Sequence, residues 1–186
     1  MTNSFKLLLL LTLVSVSALS GATFLHSQTQ HQTDPATSYS WQPLRIGGGG
    51  FVTGIVAHPS EPNTLIAKTD VGGAYRWNAS TAVWEQLLLE NRMPNPLTAD
   101  YAVESVAIAP SDADRLYIAA GNDTDSTNGR ILASADGGQS WTDSGQRWLI
   151  SGNEEAYRTG GERLAVDPQN ADIVYFGSRR SGCGFR

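Results

Sequence analysis

A tripled pattern limits what this chain can fold into more than any other feature. Gly54-Ile55-Val56-Ala57-His58-Pro59-Ser60 is echoed by Ser105-Val106-Ala107-Ile108-Ala109-Pro110-Ser111, and again by Arg163-Leu164-Ala165-Val166-Asp167-Pro168-Gln169. Each copy reads as a short alternating strand, an X-Pro step, a polar turn and a second apolar strand. Those second strands are expected at Thr64 to Ala67, Arg115 to Ala120 and Ile173 to Gly177. The prolines recur at intervals of 51 and 58 residues, which suits four-stranded propeller blades of ~40–50 residues with insertions. No window sustains a helical period. Short alternating strands separated by Gly-rich turns, repeated at this period, predict an all-β fold of β-propeller blades rather than a sandwich.

The middle copy is the most complete. Val103 to Ala109 is its expected inner strand, Arg115 to Gly121 the second and Gly129 to Ala135 the third, with Ser140 to Asp143 opening the fourth. By the two-residue strand period, Val106 and Ile108 share a face, as do Leu116, Ile118 and Ala120. Between the third and fourth strands lies Ser134-Ala135-Asp136-Gly137-Gly138-Gln139-Ser140-Trp141, which matches the Asp-box pattern S-x-D-x-G-x-[S/T]-W. Asp136 is expected to accept turn amides, Gly138 to take positive φ and Trp141 to bury its ring between strands. This is a hairpin signature, and it says nothing of substrate. A cation site at Asp136 has no partner carboxylates at coordination spacing.

The N-terminus reads as a targeting signal. Lys6 precedes an apolar run from Leu7 to Val16, and the small residues Ala18, Ser20, Gly21 and Ala22 follow. That layout predicts a secretory signal peptide over 1–22, with an uncleaved anchor as the alternative. Residues 23–40 are polar, Gln- and Thr-rich and carry Pro35, the composition of a disordered linker. The propeller portion is expected over 41–186, as about three blades with the last incomplete. The export signal predicts a secreted, extracellular protein with no membrane association after cleavage. A single cysteine, Cys183, excludes an internal disulfide. The formal charge of −5, with lysine only at 6 and 68, argues against nucleic acid, which needs a clustered basic surface. Three histidines, at 26, 31 and 58, share no ligand spacing, so neither metal nor cofactor is expected. No G-x-S-x-G elbow supports a serine hydrolase. The sequons at Asn78 and Asn122 are short enough to occur by chance.

Candidate chemistry centres on Lys68-Thr69-Asp70-Val71-Gly72-Gly73-Ala74-Tyr75-Arg76-Trp77. Asp70 ends an apolar run and precedes a Gly-Gly turn. Taken alone, an Asp there caps a hairpin turn and is exposed or half-exposed. With aromatics around it, it is also a plausible sugar-cleaving carboxylate. The four glycines Gly47 to Gly50 are not a phosphate loop, because no Gly-Lys-Ser/Thr and no helix pattern follow. They are expected to let the backbone approach a neighbour or ligand closely.

In order along the chain stand Trp41-Gln42-Pro43-Leu44-Arg45-Ile46 with the glycine run and Phe51-Val52-Thr53-Gly54, the Asp70 decapeptide, Tyr101-Ala102-Val103-Glu104-Ser105, the Asp-box, and Gly161-Glu162-Arg163-Leu164-Ala165-Val166-Asp167-Pro168. That series resembles the N-terminal part of glycoside hydrolase family 74. The resemblance implies paired seven-bladed propellers with a cleft between them, of which this chain is part of the first. It also implies inverting hydrolysis of xylose-branched β-1,4-glucan, a polysaccharide partner and a monomeric full-length protein. By motif match it puts Asp70 in the general-base position. Tyr75, Trp77 and Tyr101 are substrate-binding candidates on chemical grounds, as aromatic faces able to stack on sugar rings. Two departures stand out. The loop from Asn91 to Asp100 lacks the family's tryptophans, with Ala102 in place of Gly. The family's catalytic acid lies in the second propeller, outside this chain. Glu104, Glu154, Glu155 and Glu162 have no motif support as its substitute, and Glu104 and Glu162 are expected to bond backbone or arginine. The alternative function is a non-catalytic propeller that binds carbohydrate or acts as a sorting receptor.

Overall fold

The computed structural model describes residues 46–122, 129–154, 161–178 and 182–185. The expected signal, the linker and the start of order at Trp41 lie outside them, as does Glu155. Three antiparallel sheets follow in chain order. The first holds β1 (Val52–Ala57), β2 (Leu65–Thr69), β3 (Ala74–Asn78) and β4 (Val83–Gln86). The second holds β5 (Val103–Ala109), β6 (Asp112–Ala120), β7 (Gly129–Ser134) and β8 (Thr142–Trp148). The third holds β9 (Leu164–Val166), β10 (Val174–Ser178) and β11 (Gly182–Phe185). In each sheet the strands pair in the order they occur, which is the meander of a propeller blade.

The repeat has a plain structural meaning. Pro59, Pro110 and Pro168 all sit just past the first strand of their sheets, where a residue without an N–H removes no ladder bond. The middle strands fall close to where the sequence puts them. One boundary differs: β6 starts at Asp112 because Ala109 pairs directly with Asp112, a tighter turn than the polar run suggests. The chain between the first and second sheets is not structureless, since 3-10 turns form at Glu90–Arg92 and Thr98–Tyr101.

Strand alternation divides the core in two. Val103, Val106, Ile108, Leu116, Ile118, Ala120 and Leu132 face the first sheet and pack on Ile66, Ala74, Leu87 and Leu88. Ala107, Tyr117, Ala119 and Ile131 face the third and pack on Leu164, Val174 and Phe176. The central sheet is therefore buried on both sides, and all seven residues of β5 are buried. Trp148 meets Phe176 edge-on across the second seam, ring centroids 5.6 Å apart.

Trp141 pins the first seam. Its ring is buried, its Nε1 donates to the Leu87 carbonyl at 3.2 Å, and its amide donates to the Arg92 carbonyl at 2.9 Å. The turn before it is tied internally. Asp136 accepts the Ser140 amide at 2.9 Å and the hydroxyls of Ser134 and Ser140 at 2.7 and 2.5 Å. Gly138 has φ +91°, and a Cβ there would stand 2.3 Å from Leu87 Cδ2, so both conformation and space require glycine.

Candidate functional site

Asp70 follows β2 directly and is held by the strand start that lies beside it. Its Oδ1 accepts the Phe51 amide at 2.8 Å, while its own amide donates to the Phe51 carbonyl at 3.2 Å. The expected exposed turn aspartate is corrected here: Asp70 is only 6% exposed. The cause is the glycine run. Gly50 sits so close that a Cβ would lie 2.9 Å from Asp70 Oδ1, and its φ is +98°. A Cβ on Gly72 would meet the Gly49 carbonyl oxygen at 2.0 Å. Two glycine segments thus lie on each other and cover the carboxylate's flank, the close approach their composition implies.

The turn beneath is locked from the other side. Thr69 Oγ1 accepts the Gly72 amide at 2.8 Å and donates to the Gly73 carbonyl at 2.9 Å. The Gly73 amide donates to the Tyr101 carbonyl at 2.8 Å. A carboxylate whose backbone and one oxygen are both fixed loses little orientational freedom when it accepts a proton, as a general base requires.

The aromatic candidates separate. Tyr101 lies beside the turn, its Cδ1 being 3.4 Å from where a Gly73 Cβ would stand, and it is half-buried. Burial first, then the charges of Glu90 and Asp100, push its hydroxyl pKa up. Tyr75 is close but only 5% exposed. Its hydroxyl presses on Gly48, burial pushes its pKa up, and its ring packs with Ala67 and Trp84. It supports the glycine run and offers no open face. Trp77 is four residues past Gly73 on β3, about 13 Å away at strand rise. It tilts against Trp84, centroids 5.4 Å apart, and lines a cavity of about 320 Å³ with Arg76, Asp114 and Asp136. Tyr101 is thus brought to the turn that follows Asp70, and Trp77 is not.

Of the four motif-free acids, Glu104 and Glu162 bond as expected, with one partner the sequence conceals, and Glu154 is exposed. Glu104 pairs with Arg163 Nε at 3.1 Å and accepts the Ser151 amide at 3.1 Å. Glu162 accepts Ser105 Oγ and the Val106 amide at 2.8 and 2.7 Å. Its other oxygen stands 3.1 Å from Lys68 Nζ, with Lys68 1% exposed. A residue just before the third sheet therefore reaches past the second to the strand that leads into Asp70. Gly54 makes the room, since a Cβ there would stand 2.8 Å from Lys68 Cε and 3.0 Å from Glu162 Oε1.

The loop from Asn91 to Asp100 is anchored by Arg130, another residue no motif marks. Its guanidinium donates to both Asp100 oxygens at 2.8 and 2.6 Å, and to the carbonyls of Pro94 and Asn95 at 2.9 and 3.3 Å. Arg130 and Asp100 are both almost wholly buried, and such a bidentate pair fixes loop geometry strongly.

Comparison with known proteins supplies the context. No family model matches the chain. It is 41% identical over 147 residues to the oligoxyloglucan-reducing end-specific xyloglucanase of Emericella nidulans, covering 78% of this chain and 18% of that protein. It is 37% identical over 187 residues to xyloglucanase Xgh74A of Acetivibrio thermocellus, covering 98% and 21%. The family 74 xyloglucanase structure from Xanthomonas campestris superposes with a TM-score of 0.67 at 37% identity, covering 80% of this chain and 21% of that one. The family 74 enzyme of Niastella koreensis gives 0.65 at 36%, covering 76% and 21%. The chain spans about a fifth of the length of each. In sequence and in the propeller-blade fold, it is a homologue of the glycoside hydrolase family 74 xyloglucanases, matching a fraction of their length.

Proposed function

We propose that this chain supplies one wall of the active site of a secreted, inverting, xyloglucan-cleaving glycoside hydrolase, with Asp70 as its general base. The observation that carries this is the pairing of Asp70 with Phe51 under the glycine run, in a chain homologous to xyloglucanases. The partner is a neutral β-glucan backbone with branches, and the complete protein acts as a monomer. Tyr101 borders the reacting sugar, Tyr75 holds the glycine run behind Asp70, and Trp77 contributes only at a distant subsite.

Inversion needs a second carboxyl ~6.5–9.5 Å from the first, one protonating the leaving oxygen while the other activates water. Glu104 and Glu162 are engaged in ion pairs and backbone bonds, and the family resemblance puts the acid in a second propeller, outside this chain. The test is a hybrid in which residues 46–185 replace the aligned part of the Xanthomonas campestris enzyme. Release of reducing ends from xyloglucan, with the first-formed anomer inverted, is the expected result. A folded hybrid that binds xyloglucan without cutting it would favour the non-catalytic, carbohydrate-binding reading.

A further inference from the structure

We infer that Phe51 is a sugar-stacking residue of this site, taking the apolar face of the pyranose ring that lies next to Asp70. This rests on the reading just given and names a contact it lacks. Phe51 is the most exposed large apolar side chain among the described residues, at 64%. An aromatic side chain left in water beside a carboxylate offers an open apolar face to a ligand.

Its backbone is the one that grips Asp70, through the amide to Oδ1 at 2.8 Å and the carbonyl to the Asp70 amide at 3.2 Å. Ordinary bond lengths then keep the ring within about 8 Å of that carboxylate oxygen, roughly the span of one sugar. Gly47 to Gly50 precede it and Gly72 lies against Gly49 and Gly50, so this stretch of backbone carries few side chains to crowd a ring. Val71, the residue after Asp70, is also about half exposed, at 49%, and adds a second apolar side chain next to the carboxylate in sequence. Apolar faces flanking one oriented carboxylate match a pyranose, whose axial C–H groups pack on an aromatic ring while its hydroxyls reach polar neighbours. Tyr75 and Trp77 cannot do this beside Asp70, one being buried and the other a strand length away.

The test titrates the folded hybrid that carries residues 46–185 with a xyloglucan oligosaccharide and follows ring-labelled phenylalanine by NMR, beside the same hybrid with Phe51→Ala and with Phe51→Trp. Because the side chain is exposed, neither substitution disturbs the core, and circular dichroism checks this. The expected result is a shift of the Phe51 ring signals, about tenfold weaker binding for Phe51→Ala, the size expected when an aromatic anchor is truncated, and near-normal binding for Phe51→Trp. Sugar binding with the ring signals unmoved and Phe51→Ala unaffected would overturn the assignment while leaving the sugar site standing. Ring signals that move with protein concentration and not with sugar would assign Phe51 to a protein contact and overturn it too. Binding by none of the three proteins would overturn the sugar-site reading itself, and this inference with it.

Discussion

Two side chains show how one residue type does different work in this fold. Asp136 is exposed, and bonds from the Ser140 hydroxyl and amide, then from the Ser134 hydroxyl, hold its carboxyl down at about 2, below the ordinary 3.8. A depressed folded value means the bonds stabilise the fold above about pH 4 and are lost as pH falls toward 2. Asp136→Asn should therefore differ from the parent in melting temperature at neutral pH, with the gap closing between about pH 4 and pH 2. A gap unchanged over that range would show that the charge is not what the turn uses. Asp70 is buried instead and tied to a strand start. Trp141 is the structural residue of the Asp136 turn, and Trp141→Ala should cost ~3–5 kcal/mol by thermal or denaturant unfolding of the hybrid. An unchanged midpoint would remove it from the seam.

Ladders within a sheet are local, and bonds between sheets are not, and this decides what a sequence reveals. The alternation of Val106 and Ile108, or of Leu116, Ile118 and Ala120, fixes which faces meet, because side-chain direction depends only on neighbours along the strand. The same alternation could have warned that Tyr75 and Trp77 share one face of β3 with each other and not with Arg76. The burial of Asp70 depends on the Gly47 to Gly50 backbone folding over it, and the place of Lys68 depends on a carboxylate from the third sheet. Neither contact has a local pattern. The Lys68–Glu162 pair makes a prediction at this scale. Glu162→Gln leaves a buried ammonium without its countercharge and should destabilise the fold, by less than the ~3–5 kcal/mol of a fully buried pair because Glu162 is part-exposed. Adding Lys68→Met should recover part of that loss in a double-mutant cycle. Two additive losses would mean the pair does not join the sheets energetically.

At the scale of the whole molecule, a propeller closes its ring by packing its last blade on its first, and the three sheets among the described residues do not close one. On the proposed reading the catalytic pair is divided in the same way, with Asp70 in this chain as the base and the acid elsewhere. General-acid and general-base contributions are each typically ~10²–10⁴-fold, so the 186-residue chain by itself should release no measurable reducing ends from xyloglucan. Turnover by the isolated chain would place an acid among its own residues. The most direct measurement of the central claim is the rate of reducing-end release by the hybrid with Asp70 and with Asp70→Asn, alongside xyloglucan binding by each. The Asn side chain keeps an oxygen to accept the Phe51 amide and cannot take a proton from water. The expected result is a rate lowered by at least ~10²-fold with binding nearly unchanged, and a rate equal to that of the parent hybrid would contradict it and leave Asp70 as a turn cap.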